Sequence, residues 1–385
     1  MTSLPERPSS TPGNQMPALT GIRFVLALWV VGHHLSGPGR MLDPLTSASA
    51  MVSALFEAAY VSLTVFFAIS GFVLARRYGD IVWTRLVLIR YAVSRFGRIY
   101  PLYFLSLLIL GPIIWEALRR GDLGSPIDSA GLLLNYGLLL QGWHKPAVNW
   151  NTPAWSLSCE VFFYACAPLL VRAVRVPSWA RVLGTTALAC AVPIALRLTI
   201  EPPIPKALLY FGDFVVGIAA AGVYERLSGT RLSLQRLGPW LYWTALGGGL
   251  TLLLWGDGLG SFLVFDAGVR LTSMLLVIGL ACGGGWLVRV LSSPVVLAGG
   301  TASYAIYILH VPALWWFERS SVRALLPPVA AGVVFVIEIL ALSLVVSRWY
   351  EVPANRVIRL AAWGSAASRR AAPAGSLRSR ACLPE

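Results

Sequence analysis

The sequence predicts an all-α fold: a polytopic membrane bundle of about ten transmembrane helices. Three observations predict it. Of 385 residues, 57% are hydrophobic and only 12% charged, about half the charged fraction of an average soluble domain, and the mean hydropathy is +0.70. The apolar residues gather in stretches long enough to cross a bilayer. The basic residues fall between those stretches, so the net charge of +14 points to membrane lipids with anionic headgroups as the partner, and not to nucleic acid. Arginine is used almost to the exclusion of lysine (Lys145 and Lys206 only), with abundant alanine and glycine. That usage fits a GC-rich bacterial genome and places the chain in a bacterial cell (inner) membrane.

Taken in order, residues 1–16 are polar and rich in Pro and Ser, lack the basic start of a signal peptide, and are expected to form a disordered cytoplasmic tail. Residues 17–350 form the membrane domain. Its spans are expected near 18–36, 54–75, 99–118, 155–172, 182–200, 207–225, 239–256, 262–281, 301–318 and 329–349. Arg76, Arg77, Arg85, Arg90, Arg95 and Arg98 lie between spans two and three. Arg172, Arg175 and Arg181 follow span four, Arg226, Arg231 and Arg236 follow span six, and Arg289 follows span eight. Arg356, Arg359, Arg369, Arg370, Arg378 and Arg380 follow span ten, in a basic and largely disordered cytoplasmic tail over 351–385. All these clusters share one side if both termini are cytoplasmic, and the opposite loops, Ser36 to Ser53 and Gly256 to Ser261, are nearly neutral. Ala130 to Gln141 is apolar but too short to cross; it reads as a re-entrant or interfacial helix on the outer side. No transporter-type internal repeat is visible.

Arg23 and His34 lie eleven positions apart in the first span. At about 100° and 1.5 Å per residue they share a face, with Cα atoms roughly 16 Å apart, whereas His33 points away. Ionisable residues in an apolar segment usually face a protein-lined cavity and work there. A general base needs a neutral imidazole within reach of the proton it removes. Arg23 suits either developing negative charge or an anionic donor group. In Trp155-Ser-Leu-Ser-Cys-Glu160-Val-Phe-Phe-Tyr164, the residues Ser156, Glu160 and Tyr164 recur every four positions on one face. Glu160 either orients an imidazole, as acids do in catalytic triads, or forms a structural ion pair with an arginine of another span. Arg95 and Arg98, three residues apart, suit phosphate recognition at the mouth of span three. Ser70 beside Gly71, where the backbone permits close approach, and Tyr304, Tyr307 and His310 complete the candidate pocket with Trp155, Ser156 and Tyr164. The five cysteines show no metal spacing, and no metal site is expected.

In their order, these motifs resemble the membrane acyltransferase-3 family: Arg23 and His34, Phe66-Phe-Ala-Ile-Ser70-Gly71-Phe72, Arg95-x-x-Arg98, Trp155-Ser-Leu-Ser-x-Glu160, Ser303-Tyr304…Tyr307-Ile-Leu-His310-x-Pro312 and Tyr350-Glu351-x-Pro353. The resemblance implies O-acylation of a hydroxyl, with acyl-CoA (acetyl-CoA or related) as co-substrate and no permanently bound cofactor. It implies that Arg23 and His34 are required and that Arg95 and Arg98 act on the CoA side. Thr20, Phe24 and Val161 depart from the family pattern, and the Leu19-Thr-Gly-Ile-Arg-Phe opening resembles the branch that acylates macrolides and related polyketides. The expected acceptor is therefore a hydroxylated small molecule of that type, with a surface or exopolysaccharide glycan as the alternative. His34, assisted by Glu160, would deprotonate the acceptor; transfer is either direct or through an acyl-histidine. The rivals from other classes are a transporter of anionic or lipid-linked substrates and a membrane sensor without turnover.

Overall fold

The computed structural model describes residues 16–146, 148–173, 178–255 and 264–368. Residues 1–15 of the expected N-terminal tail, Arg175, the Gly256 to Ser261 loop, and Arg369, Arg370, Arg378, Arg380 and Cys382 lie outside that set. Every regular element among the described residues is helical. These are α1 (Pro17–Leu35), α2 (Asp43–Ala48), α3 (Ala50–Glu57), α4 (Val61–Tyr78), α5 (Arg85–Arg120), α6 (Pro126–Gly137), α7 (Ala154–Ala173) and α8 (Trp179–Thr199). They continue with α9 (Lys206–Leu209), α10 (Phe211–Ser228), α11 (Leu234–Trp255), α12 (Val269–Cys282), α13 (Gly285–Leu291), α14 (Pro294–Phe317), α15 (Ser321–Leu325), α16 (Pro328–Val346) and α17 (Val352–Ser368).

Among the described residues, eight helical segments are long and apolar enough to cross a membrane. The pair α12–α13, bent by 82° at its break, makes a ninth. The protein is thus a multi-pass membrane bundle, in keeping with the about ten helices expected. Helix α11, expected to cross at 239–256, packs along α12. It is 22 residues long, although Gly247, Gly248 and Gly249 and its Trp and Tyr residues dilute its apolar content. One correction concerns the C-terminal tail. Residues 352–368 are not disordered but form α17, which packs along α5. Pro353 follows the π-helical turn Ser347–Glu351 that carries α16 into α17, and Ile358 meets Gly97 of α5.

The short apolar stretch near 130–141 is α6, too short to span. Its start is a reciprocal cap: the Asp128 backbone N–H donates to Ser125 Oγ at 3.3 Å, and the Ser125 backbone N–H donates to the Asp128 carboxylate at 3.0 Å. The Ser125 hydroxyl, then its backbone N–H, hold the Asp128 carboxyl below its ordinary pKa. At its other end, α6 docks on α5 through Tyr103, whose hydroxyl donates to the Tyr136 carbonyl at 2.6 Å.

The centre of the bundle is α4, α10 and α14, most of whose spans are buried, with α1 packed along α14 and α12 along α10. Without a hydrophobic drive between helices in lipid, such crossings depend on close backbone approach. A Cβ added at Gly71 would lie 2.0 Å from the Phe214 carbonyl oxygen, and one at Gly217 would lie 2.0 Å from that of Ala68. The two glycines therefore form a reciprocal contact between α4 and α10, as Gly71 suggested from sequence. Gly71→Val is expected to prevent assembly of the bundle. Loss of the monodisperse peak in detergent chromatography would show it, and a normal peak with unchanged melting would refute it.

Candidate active site

His34 ends α1 and faces α14, where it meets His310. His310 Nδ1 bonds the Ile306 carbonyl at 3.1 Å, the i−4 position of its own helix. That carbonyl can only accept, so Nδ1 carries the hydrogen and His310 Nε2 presents a lone pair. His34 Nδ1 lies 3.0 Å from the Val30 carbonyl and 3.2 Å from His310 Nε2. Both partners accept, so this nitrogen also carries its hydrogen and shares it between them. The assignment leaves His34 Nε2 as the lone-pair nitrogen, and no hydrogen bond reaches it among the described residues. Two neutral imidazoles thus lock one another's tautomers and aim a free base.

Below this pair the site continues as a column of rings. His310 packs 6.1 Å from Tyr307, Tyr307 packs 6.1 Å from Phe66, and the Arg23 guanidinium lies 5.9 Å from the Phe66 ring centre. Tyr307 is pinned across the bundle by Ser156, their hydroxyls 2.8 Å apart. Trp155, the next residue, packs on Tyr210 and carries the Lys206 ammonium over its face at 4.0 Å. The expected pocket residues Ser156, Tyr307 and His310 are therefore brought together near His34. Trp155 lines the adjoining wall.

At the Arg23 end the charges balance. Arg23 lies within Coulombic reach of Arg98, Glu160, Tyr164 and Glu351. Arg98 pairs directly with Glu351 and lies 5.0 Å from the Tyr304 ring centre, while the Tyr304 hydroxyl donates to the Ile99 carbonyl at 2.6 Å. Glu160 accepts from Ser70 at 3.1 Å and from the Tyr164 hydroxyl. This corrects the expectation that Glu160 assists His34. The carboxylate faces Ser70 on α4, at the arginine end, and His310 occupies the position by His34 that an acid would need.

Arg95 and Arg98 also diverge. Three residues place them about 60° apart around the helix. Arg95 lies 5.4 Å from the Tyr164 ring centre and lines a groove of about 490 Å³ between α5 and α7. Arg98 lines a cavity of about 850 Å³ with Thr20, Arg23, Arg348 and Glu351. Glu351 was legible only as part of a motif; its role as the counter-charge of Arg98 needed the chain to return to α5 from 253 residues away. Asp213 and Arg270 went unmarked in the sequence, although the rule that singled out His34 applies equally to these charges in apolar spans. They pair directly in the interior, beside a smaller cavity of about 230 Å³.

Residues 16–348 match the family model described as an acyltransferase domain. The chain is 32% identical to Acyltransferase MdmB of Streptomyces mycarofaciens over 230 residues, covering 54% of this chain and 57% of that protein. It is 34% identical over 133 residues to Protein 2 in picA locus of Rhizobium radiobacter, covering 34% of this chain and 62% of that protein. The chain thus spans about three fifths of the length of these curated relatives. No solved structure matches it. The match over residues 16–348, nearly the whole bundle, places this chain in the acyltransferase-3 family.

Proposed function

We propose that the protein is an integral-membrane O-acyltransferase that moves a short acyl group, acetyl or similar, from acyl-CoA to a hydroxyl of a macrolide or related polyketide-type acceptor. The observation that carries the reading is the free Nε2 of His34 at one end of a column of rings whose other end holds Arg23, with Arg98 lining the same cavity as Arg23. Both termini would be cytoplasmic, which puts the arginine end on the side that holds acyl-CoA.

In this reading, CoA phosphates bind at Arg95 and Arg98 and the pantetheine arm follows the column past Phe66 and Tyr307. His34 Nε2 takes the acceptor's hydroxyl proton, and the oxygen attacks the thioester carbonyl. An ester C–O bond forms and the C–S bond breaks. The thiolate leaves as CoA thiol, with the proton returned from His34. Arg23, roughly three helical turns from His34, holds the donor arm; it is too distant to stabilise the oxyanion. His310 keeps the His34 hydrogen on Nδ1.

The test is CoA release by the purified protein with acetyl- and longer-chain acyl-CoA against a panel of hydroxylated macrolides and sugars. A mass-shifted macrolide with stoichiometric CoA thiol is the expected result. Preferential acylation of sugars would replace the acceptor with a glycan. A folded protein that neither binds nor consumes acyl-CoA would overturn the reading in favour of transport. Acyl-CoA consumption by inverted vesicles but not by intact cells checks the orientation.

A further inference from the structure

A group of guanidinium side chains gathers where the end of α4 and the middle of α17 meet the first half of α5, with Glu160 within Coulombic reach of Arg95 and Glu351 paired to Arg98. Arg359 of α17 lies within Coulombic reach of Arg77, Arg95 and Arg98. Only Arg98 of these has a carboxylate, that of Glu351; among the described residues no ion pair forms to Arg77, Arg95 or Arg359. The Nε atoms of Arg95 and Arg359 are both buried and unpartnered, as is Oδ1 of Asn355, one turn before Arg359 and against Gly97. Arg77 lies 5.7 Å from the ring centre of Tyr78, on which Trp83 stacks. Arg95 donates from one terminal nitrogen to Ser94 Oγ at 3.2 Å, and like charges converging with buried Nε donors unpaired are costly unless an anion joins them.

The order of these groups along the bundle is informative. Tyr78 meets Tyr91 edge-on at 5.2 Å, and Tyr91 precedes Arg95 by one turn toward the start of α5. Arg359 follows Glu351, the partner of Arg98, by about two turns, or roughly 12 Å. Arg77 and Arg359 therefore lie outward of Arg95 and Arg98, farther from His34.

We propose that Arg77 and Arg359 form a second phosphate subsite, which takes the ribose 3′-phosphate monoester of the donor nucleotide while the diphosphate lies inward at Arg95 and Arg98. The proposal rests on the acyl-CoA reading above. A dianionic monoester offers three oxygens to the two forks, and it is the part of CoA remote from the thioester. Arg359 lies beyond the residues that match the family model, so α17 adds a donor contact from outside that domain. A phospholipid headgroup offers the same chemistry, and the experiment separates the two.

The full-length protein is placed in nanodiscs of phosphatidylcholine alone, or with added phosphatidylglycerol. Binding of CoA and of 3′-dephospho-CoA is titrated for wild type, Arg359→Gln, Arg359→Lys and Arg77→Gln, with melting curves to confirm folding. In both lipids the wild type is expected to bind CoA about tenfold more tightly than dephospho-CoA. Either glutamine variant should lose that preference while binding dephospho-CoA as before, and Arg359→Lys should retain part of it. Equal wild-type affinities for the two ligands, or an equal loss of both in the variants, would overturn the subsite. A preference that disappears when phosphatidylglycerol is added would assign the arginines to lipid headgroups. Wild type that binds neither ligand would sink the acyl-CoA reading itself, a result distinct from failure of the subsite.

Discussion

Replacing His34 with alanine is expected to lower turnover by about 10² to 10⁴, the range that a positioned general base contributes, without disturbing the bundle. The side chain is bonded only to the Val30 carbonyl and to His310, so its removal leaves no buried charge behind. CoA affinity should remain, because the arginines proposed to hold the donor lie away from His34. His310→Ala tests the same geometry more gently. It frees the His34 imidazole to exchange tautomers, so kcat should fall by less than in His34→Ala while KM for acyl-CoA holds. Steady-state kinetics on both variants, with detergent melting as the folding control, read these outcomes. An active His34→Ala enzyme would remove the imidazole from the chemistry. A fall in CoA affinity with kcat unchanged would move it to binding.

Arg270→Met is expected to cost about 3–5 kcal/mol of stability, as when one partner of a buried ion pair is removed. Arg270 bonds Asp213 directly, bonds Asp266 through its side chain and its carbonyl, and donates to the Leu209 carbonyl at 2.8 Å. Asp213 also accepts from Thr64 at 3.3 Å, and Arg197 pairs with the far oxygen of Asp266. The arrangement ties α8, α10 and α12 to the start of α4 with two arginines and two aspartates. Without Arg270, Asp213 stays buried with only a threonine for a partner. The double variant Arg270→Met with Asp213→Leu should recover much of the loss, since an apolar pair of similar volume replaces a buried ion pair at little cost. Thermal melting of the purified variants measures both. If Arg270→Met melts with the wild type, the network is dispensable and the prediction fails.

Much of the site was legible along the chain because membrane burial makes charge conspicuous. Arg23, His34, Glu160, Arg95 and Arg98 each stand out against an apolar background, and helical spacing shows which of them share a face. The Gly71 crossing was legible for a related reason: a glycine within a span marks a place where backbones meet. Spacing along one helix cannot say which helices are neighbours. That is why Glu160 was joined to the wrong partner, why Glu351 was not matched to Arg98, and why α17 was taken for a tail.

By itself the sequence determined the all-α membrane bundle and the approximate place of its helices, and it marked ionisable residues that stand out in apolar segments. These follow from hydropathy and from a helical period that satisfies each span's own backbone groups within lipid. The tertiary structure alone decided the partnerships. His310 beside His34, Glu160 with Ser70 and Tyr164, Glu351 on Arg98 and Arg359 near Arg95 all join residues far apart in the chain. Contacts of that kind depend on how helices pack, which is set by the shapes and small residues of several faces at once. No local period encodes it.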